Sequence, residues 1–189
     1  MRDCQSPCLP MSLAHALLTA LSERSCSGSE LAKRFDRSIG FFWPATHQQI
    51  YRELGRLETA GWVSSRAAKA AHGRRRVYEV LPAGRDELRR WVSTPQEPKA
   101  IRDELLVKLR AEAVLGGGEL RDGLRLRLDR HRSKLEAYRE IENRSFGDAE
   151  PGREQRLQHL ILLAGIDVER LWIRLCEDAL AVLEADQGG

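Results

Sequence analysis

Gln48, Tyr51 and Arg52 set an amide, a phenol and a guanidinium close together in the stretch THQQIYRELGRLET. An amide matches the edge of adenine and a guanidinium matches guanine or a phosphate; with a phenol beside them, the trio has the chemistry to read a nucleic-acid groove. Geometry decides whether it can. In a helix, successive side chains rotate by about 100°. That rotation gathers Ile50, Leu54 and Leu57 on one side and Gln48, Tyr51, Arg52, Gly55 and Thr59 roughly opposite. The apolar side is predicted to face a core and the polar side to face outward. Gly55 carries a helix penalty of about 1 kcal/mol and would let another backbone approach closely. A second group, Lys69, Arg74, Arg75 and Arg76, puts four cations within eight residues of the polar stretch AAKAAHGRRR. Alone, such a run reads equally well as a solvated face. Beside a polar helix face it has the chemistry to lie along phosphates or to enter a minor groove.

Other chemistries find less support. Cys4, Cys8, Cys26 and Cys176 are scattered, with no zinc-site spacing. His131 and His159 lack a partner at a metal-ligand spacing such as H-E-x-x-H, so no metal site is predicted. There is no G-x-S-x-G, P-loop or G-x-G-x-x-G motif, and no nucleophile beside an evident base. Neither an enzyme nor a cofactor is expected. Phe41, Phe42, Trp43 and His15 are candidates for lining a small-molecule pocket, although an aromatic run is more often core or interface.

The elements that must hold these groups can be read from their ends. Residues 11–22 carry Leu13, Ala16, Leu17, Ala20 and Leu21 at one-faced helical spacing. Ser27 and Glu30 form an S-x-x-E capping box ahead of a short helix running to about Asp36. Thr46 and Gln49 repeat the device ahead of a helix running to Ala60, where Gly61 stops it. Trp62, Val63 and Ser64 then read as a short strand, the basic stretch as a loop, and Val77 to Leu81 as a second strand. Pro82 opens a helix reaching about Ser93. Three helices, a strand, a basic loop, a strand and a helix make a winged helix-turn-helix. Ser93 to Ala100, with Pro95 and Pro98, reads as a linker. Beyond it the pattern is wholly helical: about 101–114, ended by Gly116 to Gly118; a longer helix bearing Leu120, Leu124, Leu128, His131, Leu135, Tyr138 and Ile141; and a last helix bearing Leu157, Leu160, Ala164, Val168, Leu171, Leu175, Ala179 and Val182. Seams at this spacing need a partner surface, and Ile161, Trp172 and Leu183 widen the last one, which favours a second chain.

LAHALLTALSERSCSGSELAKRF, GFFWPATHQQIYRELGRLETAGWVSSR and RRRVYEVLPAGRDELRRWV follow one another over residues 11–93. Together they closely resemble the PadR-type transcriptional regulators, most specifically in IYRELGRLETAGW and VYEVLPAGR. The helical second half is similar in layout to that family's dimerisation region. The resemblance implies a homodimer joined through its C-terminal helices, whose two winged helices read a pseudo-palindromic operator on double-stranded DNA, commonly as a repressor, with relief by a small aromatic or other effector in some members. Carried onto this chain, the recognition positions are Thr46, His47, Gln48, Tyr51 and Arg52, with the wing at Lys69 to Arg76; His15, Phe41 and Trp43 are the candidate effector contacts.

Bulk properties agree with that assignment. The net charge of +3 divides unequally: residues 1–100 hold 16 Lys/Arg against 10 Asp/Glu, and the remainder 15 against 18. A basic first half suits a polyanionic partner. No run approaches the roughly 18 apolar residues of a membrane span, and residues 1–10 lack the apolar stretch of a signal peptide, which points to the cytoplasm. The expectation is a mainly α protein: a flexible tail over 1–10, a winged helix-turn-helix with a small β-wing over 11–94, and a helical dimerisation and effector region over 95–189. The competing class is a winged-helix adaptor that binds another protein without specific DNA binding; a neutral helix face and an uncharged wing would mark it.

Overall fold

In a computed structural model the described residues are 11–36, 45–69, 74–98, 100–146 and 151–185. The tail over 1–10 lies outside them, as do Phe41, Phe42 and Trp43. The chain divides into two compact units, Met1–Pro98 and Lys99–Gly189. The protein is mainly helical with one small antiparallel sheet, and no helix among the described residues is long and apolar enough to cross a membrane.

The first unit contains α1 (Met11–Glu23), β1 (Cys26–Ser27), α2 (Gly28–Asp36), α3 (His47–Thr59), β2 (Val63–Lys69), β3 (Arg74–Val80) and α4 (Pro82–Ser93). Both capping boxes form. The Ser27 backbone N–H donates to Glu30 Oε2 at 2.9 Å, and Thr46 Oγ1 accepts from the Gln49 backbone N–H while Gln49 answers to the Thr46 N–H. Each satisfies N–H groups that a helix start leaves without partners. At the far end of α3, Gly61 adopts φ 71°, its N–H donating to the Glu58 carbonyl while the Trp62 N–H reaches the Leu57 carbonyl. That paired closure needs a left-handed residue, which glycine supplies without a Cβ penalty. One core receives Leu17, Leu18 and Leu21 from α1, Leu31 and Phe35 from α2, Ile50, Leu54 and Leu57 from α3, and Val63, Tyr78 and Val80 from the hairpin. Truncating any one of these leucines to Ala would cost about 2–5 kcal/mol.

The sheet departs from expectation in two ways. β1 is a third strand that the sequence does not announce, pairing Cys26 with Tyr78 and Ser27 with Val77 to give the order β1-β3-β2. The wing is also longer in strand: Ser65 to Lys69 pair with Tyr78 to Arg74, so the four cations predicted for a loop stand on β2 and β3. Alanine, lysine and arginine are weak strand formers, but pairing across the ladder overrides local preference.

α4 is tied back to α1. His15 is buried, its Nε2 3.0 Å from Glu87 Oε1, its ring stacked on Trp91 with centroids 4.6 Å apart. The Arg90 guanidinium holds Glu87 from the other side and keeps that carboxyl below its usual range, with His15 adding to the effect against the opposing pull of burial. Gly84 packs directly beneath the Trp62 carbonyl, where a Cβ would collide.

The second unit consists of α5 (Glu104–Leu115), α6 (Arg121–Ser145) and α7 (Arg153–Ala185). Asp103 caps α5, accepting from the Leu105 N–H, and takes two hydrogen bonds from Arg127 at 3.0 and 2.7 Å. Leu105, Leu124, Leu128, Cys176 and Leu180 share a core. Between α6 and α7, the buried carboxylate of Glu169 is met by His131 at 2.5 Å and Lys134 at 2.7 Å.

Candidate nucleic-acid interface

α3 has the two-faced character its sequence implies. Ile50, Leu54 and Leu57 are fully buried, whereas Thr46, His47, Gln48, Tyr51, Arg52 and Gly55 are exposed. The expected outward face is therefore an outward face. Its members differ in freedom. Thr46 spends its hydroxyl on the cap. Gln48 and Arg52 have no hydrogen-bond or ion-pair partner among the described residues, which leaves an amide and a guanidinium one helical turn apart. Tyr51 is 48% exposed, but one edge of its ring lies against Gly28 at the start of α2, where an added Cβ would come within 2.5 Å. Gly28 thus leaves room for the ring, and any larger residue there would displace it. Gly55 opens onto free space, with nothing within 4 Å of an added Cβ.

The helix also holds a residue the pattern misses. Glu53 is buried beside Leu54, with Oε2 accepting from Arg56 Nη1 at 3.3 Å. At about 100° per residue Glu53 falls about 40° from Leu57, next to the buried face, but carboxylates are rarely buried, so its residue type hides what its angle indicates.

The wing cations separate on inspection. The side chains of Lys69 and Arg74 lie outside the described residues. Arg75 is exposed, with Nη1 3.7 Å from Glu30 Oε1 on α2; such an exposed pair is weak. The Glu30 carboxyl sits below its usual range, chiefly through the Ser27 N–H and hydroxyl, with Arg75 a smaller contributor. Arg76 is engaged more firmly: Nε donates to Ser65 Oγ at 2.9 Å and Nη2 to the two Glu58 oxygens at 2.9 and 3.1 Å. Adjacent strand residues point to opposite faces, which is why Arg75 meets α2 and Arg76 meets α3. Among the described residues no group of three or more His, Cys, Asp or Glu could hold a metal ion.

A two-faced helix beside a cationic hairpin occurs in many folds, and comparison with known proteins narrows the choice. Residues 17–90 match the family described as "Transcriptional regulator PadR-like family", and residues 101–184 match "Virulence activator alpha C-term". A probable transcriptional regulator of Mycobacterium tuberculosis, Rv1176c, is 39% identical over 188 residues, covering 92% of this chain and 98% of that protein. The chain belongs to the PadR-like family of transcriptional regulators. Two solved proteins of similar build cover almost the same span. The Vibrio cholerae virulence activator AphA is 35% identical with a TM-score of 0.78, matching 92% of this chain and 99% of its own. PadR of Bacillus subtilis, solved in complex with operator DNA, is 26% identical with a TM-score of 0.80 over the same shares. The winged helix-turn-helix and the helical second half are thus features of the PadR-like fold.

Proposed function

We propose that this chain is a sequence-specific DNA-binding regulator, acting as a repressor and as a homodimer. The observation that carries the proposal is the outward face of α3, where Gln48 and Arg52 stand without a partner among the described residues, opposite a fully buried Ile50–Leu54–Leu57 face. In this reading α3 enters the major groove, where an amide and a guanidinium discriminate between base edges. Thr46, His47 and Tyr51 flank them, and Lys69, Arg74 and Arg75 on the wing meet phosphates. The relative solved with operator DNA supports the same partner, and its description as a negative transcriptional regulator supports repression. Dimerisation is assigned to α7, whose Leu157, Leu160, Ile161, Val168 and Leu171 are 46–60% exposed along one side. An apolar stripe of that length favours a matching surface on a second copy. A cytoplasmic site of action without catalytic activity of its own goes with this reading.

Relief by a small, aromatic effector belongs to the same proposal. His15 is closed in by Trp91 and bound to Glu87, so we assign it to the fold and leave Phe41 and Trp43 as the effector candidates. The test is a gel shift with the chain's own upstream DNA in the presence of unrelated competitor, followed by a reporter assay from that DNA. A retained shift and reduced reporter output are expected. Loss of the shift to competitor would refute specific binding in favour of a protein-binding adaptor, and raised output would make the protein an activator.

A further inference from the structure

Arg76 has the charge of a phosphate contact and the surroundings of a strut. Its guanidinium is gripped by Glu58 in the last turns of α3 and by Ser65 on β2, and the Ser65 hydroxyl in turn donates to Glu58 Oε1 at 2.6 Å. Three side chains from three consecutive elements close a ring of hydrogen bonds, all of them to or from charged groups, the stronger kind. Tyr78, two residues along the same face of β3, lies beside it with its ring centroid 6.0 Å from Arg76 Cζ.

The position of the ring matters as much as its bonds. β1 supports β3 only at Val77 and Tyr78. Arg76 is the next residue outward, the point at which three strands become a two-stranded ribbon. Such ribbons are marginal by themselves and twist readily. The covalent link between α3 and β2 is only Ala60 to Trp62, which fixes one end of the ribbon and leaves its angle open. At 60% and 31% side-chain exposure, the Arg76–Glu58 pair contributes little to stability; its contribution is geometric.

We infer that Glu58, Ser65 and Arg76 form a clamp that sets the angle of the wing against α3, making Arg76 a positioning residue for DNA binding and not a phosphate contact. This inference rests on the DNA-binding reading, and it makes a prediction of opposite sign to simple electrostatics. Glu58 is an anion on a unit that approaches a polyanion, so neutralising it should tighten binding by Coulomb attraction alone. Loss of the clamp should weaken binding instead.

The experiment uses the full chain, Glu58→Gln, Arg76→Gln and the double variant. Backbone hydrogen exchange without DNA is followed by binding to the upstream DNA over a range of salt. Faster exchange is expected in residues 63–69 and 74–76, with the α1–α3 core unchanged. Each single variant should bind the specific DNA roughly tenfold more weakly, the size of coupling seen between groups of one polar network, and the double variant no more weakly than either. The salt slope should stay at its wild-type value. Unchanged exchange would overturn the clamp. So would tighter binding by Glu58→Gln, or a slope lowered by about 1 in Arg76→Gln, the mark of a lost phosphate contact. If the wild-type chain selects no DNA, the functional reading fails, and the exchange result alone decides the clamp.

Discussion

Gln48 and Arg52 stand on the same face of α3 but are open to different roles, and the roles differ in outcome. A bidentate base contact discriminates by about 1–3 kcal/mol and is lost only at its own base pair, whereas a phosphate contact weakens binding evenly across sequences. Binding-site selection on the wild type, Gln48→Ala and Arg52→Ala should show relaxed preference at one position of each half-site for Gln48→Ala, with folding unaffected. Identical motifs from all three proteins would remove α3 as the reader. Gly55 supplies an independent check on the same face. It is helical, exposed and free of neighbours, so Gly55→Ala should raise the stability of the first unit by about 0.5–1 kcal/mol. If DNA backbone comes against this face, the same methyl should reduce affinity. Denaturant unfolding and a titration with DNA measure the two effects, and a stabilised variant that binds as well as the wild type would move the backbone away from Gly55.

At the level of elements, those with chemical punctuation were legible. Thr46–Gln49, Gly61 and Pro82 mark ends because each satisfies or removes a backbone hydrogen-bonding group, and α3 and α4 begin or stop where those residues stand. The wing was legible as a basic hairpin but not in its extent, since Ala67, Ala68 and Arg74 to Arg76 become strand through cross-strand pairing that no local preference reports. The two residues of β1 depend wholly on the register of β3. The same holds for the site. The α3 face follows from a 3.6-residue period, whereas the Glu58–Ser65–Arg76 ring joins positions related only by the fold. In the second unit, α5 begins at Glu104 because Asp103 serves as its cap and also binds Arg127. Arg127 chiefly, with help from the Leu105 N–H and against the opposing effect of burial, holds the Asp103 carboxyl below its ordinary range. A depressed folded value means stabilisation that is complete above the unfolded value of about 3.9 and lost as pH falls through the folded one. The stability gap between wild type and Asp103→Asn should therefore be constant near neutrality and shrink in acid. Thermal melts over a pH series measure it, and a gap equally wide below the carboxylate range would show that the Arg127 pair is not its source.

For the molecule as a whole, the exposed side of α7 is where the proposed homodimer would join. Leu171 is 46% exposed in one chain, midway along that side. If a second copy covers it, Leu171→Glu buries an unpaired charge at a cost of several kcal/mol, and the dimer should dissociate to folded monomer. Sedimentation that still reports a dimer would place the interface elsewhere. The two units also differ in where their pairing can begin. α6 and α7 are joined by a short connection, so their contacts can start beside it, at Glu142 and His159, before those at the far ends form. The bond that closes α4 onto α1, His15 to Glu87, spans 72 residues. Ribosomes add about 5–20 residues per second, so seconds pass between the appearance of the first helix and that of the element that covers it. Throughout that interval the His15 ring lacks both its carboxylate and the indole of Trp91. That side of α1 is covered only once α4 has been made, and a nascent chain stalled anywhere before α4 would present that open face to whatever chaperone or neighbouring chain it met.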